Sequence, residues 1–429
     1  MKWLALNYGI EKESDFVTWW EIALMFFLLS FSGNPYISIQ KFELFTVLSA
    51  IVPIVHMARN YKKAISFRTA FVFVFLLGYE LMHAFMFNLD YSMTFFKLAL
   101  ILLFSAAIID ILKDRFVLIL TKTMVLISLV SFVFVFISYT PIHNALYNLA
   151  DVLFPIDKNY EGQSTPTVLI YTFCREYFVG ELPYVRNAGI FWESGAFAVF
   201  LNINLFLHYS SKQIKVVNDL FDRDAIILIA ALVTTTSTMG ALSLMIVLVF
   251  FSAQLKSIFK YVLLFFILIL GFLSFTTVDF LGDKINRQLN QSNFSNNRFG
   301  SALKDFENIS ERPLLGWSRR IEVIFNTNKN SKLTHRPNGF TNFLRSYGLV
   351  YFLVYFVLVY QSFKNIYVYH HHYLNYFVPL FGIILLWIVS FSELIFDLVF
   401  FKALIFLYWA YYPYETKIRE SQIKKPYFY

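Results

Sequence analysis

Residues 116–139 read FVLILTKTMVLISLVSFVFVFISY, 24 positions whose one charge, Lys122, lies near the start. As a helix rising about 1.5 Å per residue, this run is about 36 Å long and crosses a hydrocarbon core of about 30 Å. Its apolar residues occupy every face, the mark of a helix buried all round in protein or lipid. Directly before it stand Lys113, Asp114 and Arg115, and before those another apolar run, 93–112. Two such runs around a short charged turn form a hairpin across a bilayer.

Working outward, the same pattern recurs. Candidate spans are 16–31, 41–58, 67–88, 93–112, 116–139, 190–210, 225–236, 240–255, 258–278, 341–362, 373–391 and 395–411. The seventh and eighth are short enough to form one bent hairpin in place of two crossings. Composition agrees: 58% of residues are apolar and 15% charged, against about 45–50% and about 25% in soluble domains. The expected fold is an all-α polytopic membrane domain spanning 1–429, with about twelve helices. The first run begins near Phe16, after Glu11, Glu13 and Asp15 and without a small-residue cleavage site. It reads as the first span, not as a signal peptide. Cys174 is the single cysteine, which excludes an internal disulfide and a cysteine-built metal cluster.

The net charge of +8 does not point to nucleic acid, because many of the Lys and Arg residues flank the apolar runs. One set of alternate loops holds Arg59, Lys62, Lys63 and Arg68, then Lys113 and Arg115, then Lys212, Lys215 and Arg223, then Lys256 and Lys260, then Lys364. The short loops near 32–40, 89–92, 236–239 and 391–394 contain neither Lys nor Arg. Basic residues mark short cytoplasmic loops, so the first set and both termini are expected inside. Two long segments, 140–189 and 279–340, then lie outside. Each is expected to carry a short amphipathic helix on the membrane surface. Ile142, Leu146, Leu149 and Leu153 mark the first helix. Phe299, Leu303, Phe306 and Ile309 mark the second, with Asn296 or Asn297 as cap and Pro313 as stop.

The second long segment holds ten basic residues, among them Arg298, Arg319 and Arg336, and six acidic ones. An outer basic surface suits an anionic headgroup, and guanidinium forks match pyrophosphate oxygens. Three motifs sharpen this. Arg186-Asn187-Ala188-Gly189-Ile190-Phe191-Trp192-Glu193-Ser194-Gly195 stands at the outer mouth of the sixth span. Asn297-Arg298 leads into the amphipathic helix and then Arg312-Pro313-Leu314-Leu315-Gly316-Trp317. His335-Arg336-Pro337-Asn338 precedes Gly348 at the tenth span. These segments, with Thr235-Thr236-Ser237-Thr238-Met239-Gly240, resemble the O-antigen polymerase (Wzy-type) and O-antigen ligase superfamily over roughly residues 180–360.

The resemblance implies a glycosyltransferase C-like fold in a bacterial inner membrane. It also implies an inverting transfer of glycan from undecaprenyl pyrophosphate to a second lipid-linked glycan, needing neither metal nor other cofactor. Arg186 and Arg298 correspond to the pyrophosphate-binding arginines and His335 to the functional histidine. Ligases place that histidine directly before the asparagine; here Arg336 and Pro337 intervene, which favours the polymerase. Other partners expected are a chain-length regulator and a flippase. On this reading Arg186, Arg298 and Arg336, with Arg175 and Arg319, stabilise the leaving pyrophosphate, and Asn338 completes the binding set. His335 is one candidate base, or as imidazolium a phosphate ligand. Glu193 is the other base; it is expected about two residues inside the sixth span, where a carboxylate needs a partner such as Arg186.

Other charges admit structural readings. Glu80 and His83 share a helix face, with Lys97 as the expected counter-ion; a proton relay is the sharper alternative. Asp397 and Lys402 form an expected pair, Asp110 and Lys122 snorkel, and His370, His371 and His372 form a cytoplasmic interfacial patch. A precursor flippase, the alternative from another class, would gather its charge in a central cavity in place of outer loops.

Overall fold

Apolar runs without a polar face fold as helices, because a helix satisfies its own backbone where water is absent. The computed structural model describes residues 17–60, 67–90, 92–156, 166–174, 176–179, 182–256, 258, 260–267, 269, 298–320, 323 and 338–411. Its helices are α1 (Trp19–Gly33), α2 (Phe42–Ser49), α3 (Ile51–Arg59), α4 (Phe67–Met86), α5 (Ser92–Leu112), α6 (Phe116–Ile137), α7 (Ile142–Leu153), α8 (Ser194–Ser210), α9 (Val217–Leu220), α10 (Arg223–Thr235), α11 (Thr238–Ser252), α12 (Arg298–Glu311), α13 (Gly339–His371), α14 (Phe377–Ser390), α15 (Val399–Leu404) and α16 (Leu407–Ala410). Four helical stretches are long and apolar enough to cross a membrane: Phe42–Arg59, Thr69–Met86, Met93–Ile137 and Gly339–His371. Shorter apolar helices accompany them at Trp19–Gly33, Thr238–Ser252, Phe377–Ser390 and Val399–Ala410. The expected span 258–278 lies mostly outside the described residues.

The chain is not purely helical. The first long segment carries two small antiparallel hairpins, β1 (Thr167–Val168) with β2 (Tyr171–Thr172) and β3 (Glu176–Val179) with β4 (Leu182–Val185). These strands are rich in aromatic and β-branched residues, which suit a pleated surface. The predicted amphipathic helix precedes them as α7. Its Leu146 packs with Tyr171 and Phe173, while Ile142, Leu149 and Leu153 stay exposed.

Helix α8 is the centre of the bundle: every residue from Ala196 to Ser210 is buried. Helices α6, α10, α11 and α14 pack around it. Asn202 ties it to its neighbour, its Nδ2 donating to Ala198 O (2.9 Å) and to Gly240 O of α11 (3.1 Å). Helix α10 is capped by Asp222, whose Oδ1 accepts from Ala225 N (2.8 Å).

Helix α13 is broken at Gly348 (φ +68°, ψ 176°). The segment 313–318 fills the gap. Trp317 N donates to Arg345 O and Ser318 N to Ser346 O, both at 2.9 Å. In return Leu349 N donates to Pro313 O (2.8 Å) and Val350 N to Leu314 O (3.2 Å). A loop thus supplies the partners that a continuous helix would supply itself, as buried irregular backbone requires. Gly316 (φ +72°) faces Gly348 here, and a Cβ on either would collide with backbone of the other segment.

The loops sort into two groups. At one end Asn34 Nδ2 reaches Leu169 O (3.3 Å), Arg186 reaches the 235–236 turn, Arg320 reaches Asp90, and Gly339 abuts Glu393. These are the Lys/Arg-free loops together with the two long segments. At the other end Arg115 pairs with Glu21 (2.6 Å), Lys122 with Asp224 (2.7 Å), and His371 Nε2 with Ser210 O (3.0 Å). Helices α5, α8 and α13 run from one group to the other.

Candidate functional site

Arg186 stands at the loop-rich end, nine-tenths buried. Its Nε donates to Thr235 O (3.1 Å) and Thr236 Oγ1 (3.2 Å) at the turn between α10 and α11. Thr236 is held in the left-handed region (φ +47°), which presents these oxygens. Asn187 fixes the neighbouring backbone: its Nδ2 donates to Ser131 Oγ (2.8 Å) and its Oδ1 accepts from Gly189 N (3.0 Å). The sequence from 186 to 193 is therefore a tight loop. Glu193, expected inside the sixth span, is instead the extended residue before α8 and is exposed. Glycine at 189 (φ +54°) turns the chain and delays the helix.

A carboxylate that the motifs did not include completes this corner. Glu393, 5% exposed, places Oε1 2.5 Å from where a Cβ on Gly195 would sit, and Glu193 Oε1 is 3.7 Å from the same point. Two carboxyl groups thus share the surface of one glycine. Gly339 packs against Glu393 O and Ser390 O, so the start of α13 joins the corner. Asn338 caps that start, accepting from Thr341 N with Oδ1 (3.1 Å). Its side chain is fully buried, and its Nδ2 has no partner among the described residues. Cys174 lies in the same corner: burial pushes its thiol up to about 11 and the Glu193 carboxylate adds to that, while Arg186 and the Ser194 N–H pull it back.

A second polar group surrounds Tyr347, just before the break in α13. Tyr347 OH donates to Asp397 Oδ1 (2.8 Å) and lies 3.2 Å from Glu80 Oε1. Arg319 Nε is 3.5 Å from the same Glu80 oxygen. Desolvation pulls the Arg319 guanidinium down, but Tyr347, Glu80 and Asp397 more than offset this and hold it above its ordinary value. Lys402 pairs with Asp397 Oδ1 (3.0 Å), as the sequence suggested. Lys97 is not the counter-ion of Glu80; it reaches Glu43 (2.5 Å) on α2, which packs against α5. The segment 391–398 links the two groups, with Glu393 in one and Asp397 in the other.

Arg175, His335 and Arg336 lie outside the described residues, as does the side chain of Arg298. Arg298 is the first residue of α12. That helix is fastened to the first half of α13: Asp305 Oδ2 accepts from Thr341 Oγ1 (2.7 Å), and its Oδ1 lies 3.7 Å from Arg345 Nε. The structure sets Arg186 and Glu193 both about Cys174, puts Asn338 beside Gly339, which abuts the Glu393 backbone, and places Arg319 in the second group. Glu393 is the residue sequence reasoning missed. Its signal was a lone carboxylate in a short loop otherwise free of charge. No protein-family model matches the chain, and neither a curated protein nor a solved structure matches it.

Proposed function

We propose that this membrane protein is a repeat-unit polymerase, joining a glycan carried on undecaprenyl pyrophosphate to a second lipid-linked glycan at the loop-rich end. The observation that carries the reading is that Glu193 and Glu393 share the surface of Gly195 while Arg186 and Glu193 both act on Cys174, with Gly339, next to the unpartnered Asn338 Nδ2, packed on Glu393 O. An acceptor hydroxyl would attack the anomeric carbon and lose its proton to Glu193. The bond from that carbon to the pyrophosphate oxygen would break with inversion, and the charge would build on the leaving diphosphate. Arg186, Asn338 Nδ2 and the N-terminus of α13 are the positive groups for that charge. The motif resemblance supports the glycan and the carrier lipid; Arg298, Arg336, Arg175 and His335 belong to the same proposal through it.

The test is direct. Purified protein in proteoliposomes, supplied with a lipid-linked repeat, is expected to yield a ladder on a gel. Glu193→Gln and Arg186→Lys should each slow ladder formation on the order of a hundredfold, the scale of losing a base or a charge-stabilising donor. A ladder at the wild-type rate from both folded variants would remove the corner from the chemistry.

One observation favours a second reading, transport of the lipid-linked precursor. Broken helices and ionisable groups clustered within the bundle are features of transporters, and α13 is broken at Gly348 beside the cluster of Glu80, Arg319, Asp397 and the buried Lys402. Movement of a fluorescent lipid-linked repeat across the liposome without polymer would establish it. A ligase differs from the polymerase in its acceptor, and would leave long polymer on the carrier lipid when deleted.

A further inference from the structure

Helix α7, IHNALYNLADVL, has two apolar faces where a helix between protein and water has one. Toward the protein, Leu146 and Ala150 join Tyr171 and Phe173, and the His143 and Tyr147 rings meet Phe173 edge to face. Turned away are Ile142, Leu149, Val152 and Leu153, each 48–77% exposed, with the exposed Ala145 among them. At about 100° per residue, these five positions fall in one stripe about 100° wide. Asn144, Asn148 and Asp151 form a polar strip between the two faces. The helix carries no Lys, Arg or Glu. A contiguous exposed apolar stripe of this kind marks a contact with protein or membrane.

We infer that α7 lies flat in the headgroup region of the leaflet at the loop-rich end. Its outer stripe sits among the acyl chains, and Asn144, Asn148 and Asp151 face water.

Three observations select the bilayer as the occupant. The first is depth. The cluster beneath the helix includes Phe134 and Val135, which belong to the last turn of the span α6. The helix therefore packs at the level where that span ends. The second is direction. Pro141 caps α7 directly after α6, and twelve residues later, about 18 Å along the helix, the Phe154 ring meets that of Tyr36 edge to face (5.1 Å between centroids). Tyr36 stands in the turn between α1 and α2, so α7 runs across the ends of helices in place of rising away from them. The third is continuity. The end of α6 exposes Val133 and Phe136, and Tyr139 follows them into the turn. The apolar surface of the span thus reaches the point where α7 begins, with a tyrosine at the boundary, as in the aromatic belts of membrane proteins.

The inference does not depend on the polymerase reading, yet the contact reaches the candidate corner. Thr172, between Tyr171 and Phe173, donates from N to Gly189 O (2.7 Å), in the loop that holds Arg186 and Glu193. The surface helix, the β1–β2 hairpin and that loop are joined in one series of contacts.

Spin labels read the depth directly. In a Cys174→Ser background, Leu149→Cys, Val152→Cys, Asn144→Cys and Asn148→Cys each receive a nitroxide, and the full chain is placed in vesicles of phosphatidylcholine and phosphatidylglycerol. Oxygen concentrates among acyl chains and a nickel chelate stays in water. The ratio of oxygen to nickel relaxation is expected to be several-fold higher at 149 and 152 than at 144 and 148. All four side chains are exposed, so the substitutions spare the packing, and 149 and 152 check each other. Equal ratios at the four sites would put the helix in water. Poor access of both relaxants at 149 and 152, with dipolar broadening between labels on two chains, would put a second copy on the stripe. Either result overturns the inference, and neither touches the ladder test of the polymerase.

Discussion

Cys174 reports on the Arg186–Glu193 corner from within it. Because burial and Glu193 raise the thiol to about 11, the thiolate is scarce at ordinary pH. Alkylation by iodoacetamide at pH 8 is expected to be on the order of a hundredfold slower than in the denatured chain, whose thiol titrates near 8.5. The folded value lies above the unfolded one. Its contribution to stability is therefore complete below about pH 8.5 and is lost as pH rises through about 11. Mass spectrometry of pulse-labelled protein checks the rate; labelling at the denatured rate would show an open corner. Glu393 marks the limit of sequence reading at this scale. Arg186 and Glu193 stood in one motif, but Glu393 follows them by 200 positions, and only the packing of Gly195 and Gly339 brings it in. Glu393→Gln should impair polymerisation more than tenfold while sparing the fold, since the amide keeps the volume and shape and exchanges only one acceptor oxygen for a donor NH2. A wild-type ladder from that variant would make Glu393 a packing residue.

At the scale of elements, the break in α13 is the feature with the sharpest consequence. Apolar runs and their Lys/Arg-flanked ends are a local property, so the existence of α4, α5, α6 and α13 could be read from composition along the chain. The break could not. Gly348 was visible as a glycine at the tenth span and Leu314-Leu315-Gly316 as a motif, but their shared role depends on a loop meeting a helix some 30 residues away. The hairpins β1–β2 and β3–β4 were missed for a related reason: two- and four-residue strands are too short to show a period. Gly348→Ala places a Cβ in a backbone region reserved for glycine and against Leu314 O. The strain alone is about 1–3 kcal/mol, and the collision adds to it. A lower melting temperature in detergent is expected for this variant and for Gly316→Ala. Unchanged melting for both would mean that the 313–318 segment is not bonded to the helix in solution.

For the whole molecule, the sorting of loops into two ends is the testable property. The charge pattern predicts which loops belong together, since basic residues govern topology, and among the described residues several hydrogen bonds and ion pairs join segments of the same set. In a Cys174→Ser background, single cysteines at Tyr36, Asp90 and Leu394 are expected to react with a membrane-impermeant maleimide from outside whole cells. Cysteines at Lys113, Lys215 and His372 should react only after permeabilisation. The opposite pattern would invert the orientation and place the candidate corner in the cytosol.

The mended helix also dictates an order of assembly. Residues 313–318 leave the ribosome before the 339–371 segment whose ladder they complete. Until that later segment is inserted, Trp317 and Ser318 N–H groups have no carbonyls to meet, and afterwards Leu349 and Val350 depend on Pro313 and Leu314 in turn. This seam therefore forms only once residues 345–350 are in place. A chain ending near residue 338 would leave the backbone groups of 313–318 without the partners that Arg345, Ser346, Leu349 and Val350 provide.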